Sequence, residues 1–260
     1  MSYVDLHCHL LPGLDDGAAT YDDTLRHARR LHAEGVRDVA CTPHVKRDEF
    51  PGVAVREIVE RVAHAQRRIA AAGLAIRLHS GAELAHADAL LLPASDLERI
   101  AQGPADARWL LLECPFDGID DDFALAAARL RELGFGLLLA HPERSAGLLA
   151  GDGLARLRPL LAHGALLQVN VCSLLGNHGL DVQDAAVRLV REGVAFCLAS
   201  DGHPGSREQT LQLGFHLLLR AGASSTQAYR LTQANPRLLL RDGVTRPLFD
   251  VEQRALAAAA

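Results

Sequence analysis

The chain alternates short apolar segments with longer amphipathic segments about seven times, and few folds accommodate such a pattern. The amphipathic segments repeat apolar residues at the 3.6-residue period of a helix, as Leu25, Ala28 and Leu31 do. Alternating strands and helices of this kind favour a parallel sheet, here a closed or nearly closed β/α barrel. The expected strands are residues 3–6, 38–42, 75–79, 109–113, 136–140, 165–171 and 195–199, and the expected helices between them are 22–34, 55–72, 122–133, 154–162 and 182–192.

No linker, low-complexity tract or block of like charges divides the 260 residues, a length common for one α/β barrel. Two further helical segments, 208–221 and 226–234, follow the last expected strand and close the chain before Asn235-Pro236. We therefore expect one domain over residues 1–250 and a frayed tail at 251–260.

Charge and composition argue against several classes of partner. The formal net charge is −5 and acids are interspersed with arginines, so no basic stripe favours nucleic acid. No apolar run reaches the length of about 18 residues that crosses a bilayer, so direct membrane insertion is not expected. The five cysteines form no C-x-x-C pair and lie in or beside apolar segments. They indicate free thiols and a cytoplasmic protein.

Side chains that bind metals stand at the ends of the expected strands, where parallel barrels place their chemistry. His7 and His9 lie on one face of the first strand because side chains alternate. Asp5 shares that face one step deeper, where we expect it to orient an imidazole. Any one of these residues alone is more often structural, and His27 and His178 are assigned structural positions in helical or loop contexts. That eight such residues stand at successive strand ends by chance is far less probable than that one does. The candidate ligands are His7, His9, His44, Glu83, Glu113, His141, Asp201 and His203.

Five histidines and three carboxylates exceed the needs of one zinc ion and predict two to three divalent ions with bridging carboxylates. The mixed nitrogen and oxygen ligands are compatible with Mn, Fe or Zn. Arg144 follows His141 closely and Arg207 follows His203 closely. Because a planar guanidinium matches a pair of phosphate oxygens, these arginines indicate a phosphate ester as the substrate.

A series of short motifs extends this interpretation over nearly the whole chain, from about residue 3 to residue 240. It resembles the motif series of the polymerase-and-histidinol-phosphatase (PHP) superfamily, and within it most closely the bacterial capsule-biosynthesis-type protein-tyrosine phosphatases. The matching segments are HCHLLPGLDDG at 7–17, GAE at 81–83, AHPER at 140–144, QVN at 168–170, SDGH at 200–203 and NP at 235–236.

The resemblance implies a fold, a site and an activity. The fold would be a distorted seven-stranded (β/α) barrel of the PHP type, holding three metals on the eight candidate ligands with Glu83 as a bridge. Arg144 and Arg207 would hold the phosphate, and Asp16 would be a catalytic or site-shaping acid. The implied activity is hydrolysis of phosphotyrosine on proteins by a metal-bridging hydroxide, with a bacterial tyrosine kinase of polysaccharide biosynthesis as the expected partner.

Three alternatives remain open at this point. A PHP phosphoesterase could act on a small metabolite such as histidinol phosphate, which a deep pocket would favour. A PHP exonuclease is disfavoured by the net negative charge. A non-catalytic PHP module would be expected to lack ligands, whereas this chain keeps all eight.

A second phosphatase signature is also present. Cys41 and Arg47 satisfy C-x5-R, the pattern of thiol-dependent tyrosine phosphatases. Pro43 would remove one of the backbone N–H donors that such a loop needs, and His44 is better explained as a metal ligand. We therefore expect that the thiol is not the nucleophile.

Overall fold

The computed structural model describes residues 2–244 and has an α/β fold in which every strand ladder is parallel. This confirms the predicted architecture of parallel strands and helices. The strands are β1 (Tyr3–Cys8), β2 (Val36–Cys41), β3 (His44–Val45), β4 (Arg77–Ser80), β5 (Glu83–Leu84), β6 (Trp109–Glu113), β7 (Gly136–Ala140), β8 (Leu166–Asn170) and β9 (Ala195–Ala199).

Helices follow most strands. A 3-10 turn at Pro142–Arg144 follows β7, and a π-helical turn at Arg230–Ala234 joins the last two helices. Among residues 2–244, no helix is both long and apolar enough to cross a membrane. The α-helices are α1 (Tyr21–Ala33), α2 (Val55–Ala71), α3 (His86–Ala89), α4 (Ala94–Ile100), α5 (Asp121–Glu132), α6 (Gly153–Ala162), α7 (Val171–Leu175), α8 (Leu180–Arg191), α9 (Leu211–Arg220), α10 (Ser225–Tyr229) and α11 (Asn235–Asp242).

The strands form two sheets, one in the order β1-β2-β4 and one in the order β3-β5-β6-β7-β8-β9. The change of sheet occurs where β2 and β4 are interrupted and β3 and β5 begin. Pro43 causes the first interruption because proline has no backbone N–H for the ladder. At the second interruption, the backbone of Gly81 packs closely against the Gln102 side chain, and a Cβ at position 81 would lie 2.6 Å from the Gln102 amide nitrogen. A parallel bridge between Cys8 and Gly202 also connects the end of β1 with the segment that follows β9.

Some element boundaries differ from expectation. The final helical segments do not end before Asn235, because α11 begins there and Pro236 occupies its first turn, where no N–H partner is needed. The predicted strand at 165–171 ends at Asn170, and Val171 starts α7. Helices α3 and α4 were not predicted. The expected domain end at 250 and the frayed tail at 251–260 lie outside the described residues.

Successive residues of β6 belong to different parts of the core. Trp109 and Leu111 pack in a smaller cluster with residues of β1, β7 and β8, whereas Leu110 and Leu112 belong to the larger cluster between strands and helices. The two-residue period of a strand produces this division. Glu113 continues the face of Trp109 and Leu111 at the C-terminal end, so the inner face changes there from apolar to charged.

Candidate metal centre

All eight predicted ligands converge at the C-terminal ends of the strands. Seven of them and Asp16 form three overlapping groups, and within each group one ligand atom per residue lies within 4.8 Å of the others. His141 joins the same cluster through Glu83. The groups are His7, His9, Glu83 and Asp201; His9, Asp16, His44 and His203; and His44, Glu83 and Glu113.

Glu83 lies at the centre of the cluster. Its Oε2 is 3.2 Å from His7 Nε2, 3.3 Å from His9 Nε2 and 3.1 Å from His44 Nδ1. Its Oε1 is 2.7 Å from His141 Nε2. Burial opposes ionisation of Glu83, but the surrounding imidazoles keep its pKa well below the ordinary value. Both oxygens of this carboxylate therefore face imidazole nitrogens of candidate ligands.

The cluster fits divalent ions on the chemistry and spacing of its donors. His7 Nε2 and His9 Nε2 are 3.1 Å apart. Two bonds of about 2.0–2.1 Å from one ion place their ligand atoms roughly 3 Å apart, so the two rings can share an ion. Asp201 Oδ1 lies 3.4 Å from His7 Nε2 and 3.5 Å from His9 Nε2. A nitrogen and oxygen set of this kind suits Mn, Fe or Zn.

Repulsion between carboxylates gives a second indication of a cation. Burial, with the charge of Glu83, raises the pKa of Glu113 to about 8. Glu113 and Glu83 belong to one ligand group with His44. A cation held by this group would offset the repulsion and keep both carboxylates ionised.

Two candidate ligands adopt a left-handed backbone conformation. His141 has φ 36° and Asp201 has φ 49°, and they are the non-glycine residues with positive φ among residues 2–244. Such conformations cost of order 1–3 kcal/mol each and concentrate at functional sites. His141 thereby turns the chain from β7 into the 3-10 turn, and Asp201, two residues after β9, has its side chain in the cluster.

Two residues that orient the imidazoles were not predicted. The Nδ1 of His9 lies 2.7 Å from Asp15 Oδ2, which also accepts the backbone N–H of His44 at 2.8 Å. The Nδ1 of His7 lies 3.0 Å from Gln168 Oε1. Asp15 is next to Asp16 in the HCHLLPGLDDG motif, and Gln168 is the first residue of the QVN motif. Their position within these motifs is the sequence feature that could have identified them as site residues.

Asp5 orients backbone rather than an imidazole, which differs from what its place on the histidine face suggested. Its Oδ1 accepts the N–H of Ser200 at 3.0 Å and that of His7 at 3.4 Å. The Asp5 side chain therefore holds the end of β9 against β1. Asn170 supports the neighbouring ligand by donating its amide to Asp201 Oδ2 at 2.8 Å.

The two predicted arginines lie beside the cluster. Arg144 Nη1 is 3.2 Å from Asp201 Oδ2, and its guanidinium lies 4.3 Å from the centre of the Phe116 ring. Arg207 Nη2 lies 3.7 Å from Asp201 Oδ1 and 2.9 Å from each ring nitrogen of His203. Both side chains are partly exposed and line the same cavity, so they can reach a bound anion.

Asp16 is brought into the cluster as a carboxylate. Its Oδ1 lies 3.1 Å from His203 Nε2 and 3.5 Å from His44 Nε2. Partial burial alone would raise its pKa. The hydrogen bond to His203 and the charges of the nearby histidines outweigh this effect, so the pKa lies well below the ordinary value. A carboxylate of this kind is ionised at neutral pH, which suits a ligand better than a proton donor.

The cavity over the cluster is small, about 110 Å³, with Lys46, Phe50, Phe116 and the two arginines around it. A larger groove of about 540 Å³ lies beside Arg37 and Arg77, at the opposite ends of the strands. Its lining residues are outside the ligand groups found among residues 2–244. We therefore locate the candidate active site at the small cavity.

Cys41 lacks the features of a nucleophilic thiol. It is fully buried, and burial raises its pKa from the ordinary value. Arg47 is paired with Asp88 through its guanidinium and its backbone N–H. A protonated, inaccessible sulfur is unreactive, which agrees with the expectation that C-x5-R is coincidental here.

Comparisons with known proteins agree with the motif series. The family model described as "Capsular polysaccharide synthesis, CpsB/CapC" matches residues 3–241. The tyrosine-protein phosphatase YwqE of Bacillus subtilis (strain 168) is 28% identical over 242 residues, covering 92% of this chain and 92% of that protein. The predicted resemblance to capsule-type tyrosine phosphatases is thereby confirmed.

Solved structures give the same result. One belongs to a study of YwqE from Bacillus subtilis and CpsB from Streptococcus pneumoniae, described as metal-dependent tyrosine phosphatases. It has a TM-score of 0.78 and 26% identity, and the match covers 94% of this chain and 96% of that one. A dihydroorotase has a TM-score of 0.53 and 15% identity over 96% of this chain and 75% of its own, and so shares the fold alone.

Proposed function

This chain belongs to the CpsB/CapC family of capsular polysaccharide synthesis, and from that premise we propose that it is a metal-dependent phosphatase that hydrolyses phosphotyrosine on proteins. The observation that carries this function is the convergence of four imidazoles on the buried Glu83 carboxylate, with two arginines beside them. The names of YwqE and of the related solved structure support the same activity.

Two to three divalent ions, Mn, Fe or Zn, would be held by the three overlapping ligand groups and His141, with Glu83 shared between groups. Bound ions would supply a nucleophilic water at neutral pH by lowering its pKa to about 7, and they would offset phosphoryl charge. Asp15 and Gln168 hold the rings of His9 and His7 in the orientation that this binding needs.

Arg144 and Arg207 bind the phosphoryl oxygens. Both are held at the cavity by Asp201, so their orientation is set before substrate arrives. Preorganised guanidinium groups stabilise the charge that spreads over the equatorial oxygens as the ester bond breaks. Cys172 and Cys41 take no part, because burial raises the pKa of both thiols.

An aryl phosphate suits this site better than an alkyl phosphate. A phenolate, with a conjugate acid pKa of about 10, leaves without the strong protonation that an alkoxide requires. Despite partial burial, hydrogen bonding to His203 and the charges of nearby histidines hold the pKa of Asp16 below its ordinary value, which makes it a poor proton donor for an alkoxide. The 110 Å³ cavity is also smaller than the roughly 300–1,000 Å³ typical of pockets that enclose a whole small molecule. It therefore suits the end of a protruding tyrosine side chain better than histidinol phosphate.

For the fold we infer a distorted seven-stranded barrel of the PHP type that forms one domain over residues 1–250. In this description β2 with β3, and β4 with β5, each count as one interrupted strand. The Cys8–Gly202 bridge and the bond from Asp201 N–H to the carbonyl of His7 support contact between the first and last strands.

The expected partner is a phosphotyrosine-bearing protein, and we propose a bacterial tyrosine kinase of polysaccharide biosynthesis. The net charge of −5 is unsuited to nucleic acid. We further propose a cytoplasmic location, which the five free and buried cysteines favour because thiols stay reduced in that compartment.

A kinetic panel tests the substrate class. We expect kcat/KM for a phosphotyrosine peptide to exceed the values for a phosphoserine peptide and for histidinol phosphate by tenfold or more, and single-stranded DNA to remain uncut. A tenfold preference for histidinol phosphate would overturn the tyrosine assignment but leave a metal-dependent phosphoesterase. No hydrolysis of any phosphate ester by metal-loaded protein would overturn both.

A further inference from the structure

Lys46 is the only lysine in this sequence, and it lines the cavity over the cluster of candidate metal ligands. It follows β3 directly, two residues after the candidate ligand His44. Its side chain is 19% exposed, so the stem is largely buried while the ammonium group reaches the cavity. Neither the motifs nor the proposed reaction has so far assigned a role to this residue.

The contacts of Lys46 leave its ammonium able to bind a further group. Its Nζ lies 2.9 Å from Glu49 Oε1 and 3.7 Å from Glu113 Oε2. An ammonium has three N–H donors, so these two partners do not use all of them. The Glu49 side chain is 55% exposed, and ion pairs with exposed groups contribute little stability. An anion entering the cavity can therefore replace Glu49.

Lys46 approaches the cavity from a different side than the two arginines do. Arg144 and Arg207 contact Asp201, which follows β9. Lys46 instead contacts Glu113, at the end of β6. Both kinds of cation lie near the Phe116 ring, with the Arg144 guanidinium 4.3 Å and the Lys46 Nζ 5.8 Å from its centre.

We propose that Lys46 is a substrate-binding residue whose ammonium contacts the phosphoryl oxygen that the two arginines leave uncovered. This inference rests on the proposed phosphatase function and adds a third cation to its phosphate site. A phosphate monoester is a dianion with three terminal oxygens, and charge-assisted hydrogen bonds from separate sides hold it in one orientation. Inorganic phosphate, the product, would make the same contact.

The first test uses inorganic phosphate as a competitive inhibitor of p-nitrophenyl phosphate hydrolysis. For Lys46→Gln we expect the inhibition constant and KM each to rise roughly ten- to a hundredfold, the range for losing one charge-assisted hydrogen bond. Lys46→Arg should stay within a few-fold of the wild-type values. Arg47→Gln is the matched control, because it removes the same charge from the next residue, which pairs with Asp88 outside the cavity.

The second test uses the wild-type protein and does not depend on turnover. Lys46 is the one lysine of residues 1–260, so peptide mass spectrometry after treatment with an amine-selective reagent reports its labelling directly, with the α-amino group as internal reference. We expect millimolar inorganic phosphate to slow labelling of Lys46 at least fivefold while labelling of the α-amino group continues unchanged. Because phosphate is the probe, this result holds even if no tyrosine phosphatase activity is found.

The outcomes separate the inference from the proposed function. Equal inhibition constants for Lys46→Gln and wild type, with no protection by phosphate, would show that Lys46 only pairs with Glu49 and Glu113 and would overturn the inference. If the Lys46→Gln variant loses metal, its kinetics are set aside and the protection of Lys46 from labelling in wild-type protein decides whether the inference holds. An active phosphatase with unprotected Lys46 contradicts the inference and leaves the function intact.

Discussion

Asp15 and His9 form a close pair, with 2.7 Å between the Oδ2 of the carboxylate and the Nδ1 of the imidazole. The same oxygen accepts the backbone N–H of His44. Since Nδ1 of His9 is engaged in this way, its Nε2 faces Glu83 and Asp201. One carboxylate outside the predicted ligand set therefore positions two members of it.

Replacing Asp15 should weaken metal binding. Asp15→Ala removes the partner that orients His9, and losses of this kind typically cost ten- to a hundredfold in metal affinity. Titration of metal-free protein with buffered Zn or Mn ions measures the change. Asp22→Ala, on an exposed residue in the first turn of α1, is the matched control and should keep the wild-type affinity. Equal affinities for Asp15→Ala and wild type would contradict the positioning role.

Metal content should match the size of the cluster. The three ligand groups predict two to three transition-metal ions per chain in gently purified protein, measured by elemental analysis. Treatment with a strong chelator should abolish phosphatase activity, and adding the ions back should restore it. One ion or fewer per chain, together with activity that chelators do not reduce, would rule out a multinuclear site.

The convergence of the candidate ligands could be predicted because each of them stands at or just after the end of an apolar segment in the sequence. His141 ends an apolar strand segment and Asp201 follows another, and parallel strands bring such ends to one edge. The residues that orient the ligands could not be predicted in the same way. Gln168 reaches His7 across 161 residues, and only the folded chain places the two side chains together. Asp5 lies on the expected face but binds backbone N–H groups rather than a ring.

The fold was predictable where periodicity is strong and less so where elements are short. The long α2 helix was expected nearly to its last residue, because its apolar positions repeat regularly. The two-residue strands β3 and β5 carry too few residues for any period to appear. Helix α11 was missed because Asn235-Pro236 resembles a stop signal, although proline is tolerated in a first helical turn.

Paired substitutions should separate metal chemistry from thiol chemistry. Cys41→Ser removes a buried sulfur and should retain most of the activity, whereas His44→Ala removes a ligand shared by two groups and should lower kcat by a hundredfold or more. Steady-state rates with p-nitrophenyl phosphate measure both, and circular dichroism verifies folding. If Cys41→Ser abolished activity while His44→Ala retained it, the result would support the thiol-dependent C-x5-R mechanism instead of the metal-dependent one.

Protein stability should fall in mild acid because of His27. This residue of α1 is buried, neither of its ring nitrogens has a hydrogen-bond partner, and burial lowers its pKa to about 4. The unfolded chain, with a pKa near 6.5, binds a proton first as pH falls. Stability is therefore lost between about pH 6.5 and 4, by up to roughly 3 kcal/mol.

The variant His27→Leu should remove that part of the pH dependence. Urea unfolding at pH 7.5 and at pH 5 measures the free energy of unfolding. The decrease in this free energy from pH 7.5 to pH 5 should be smaller in the variant than in wild type by about 2 kcal/mol. His216→Leu, at an exposed position of α9, is the control and should keep the wild-type difference. An unchanged pH dependence in His27→Leu would show that other groups cause the loss.

Arg144 should contribute strongly to the reaction with phosphotyrosine. Arg144→Ala removes a guanidinium that Asp201 and Phe116 hold at the cavity, so KM should rise and kcat/KM for a phosphotyrosine peptide should fall roughly ten- to a thousandfold, about 1.4–4 kcal/mol. Arg144→Lys should recover only part of this, since an ammonium cannot form the bidentate contact. Arg156→Ala, a surface residue paired with Asp121 and Asp152, is the control. Identical kcat/KM values for Arg144→Ala and wild type would exclude Arg144 from the phosphate site.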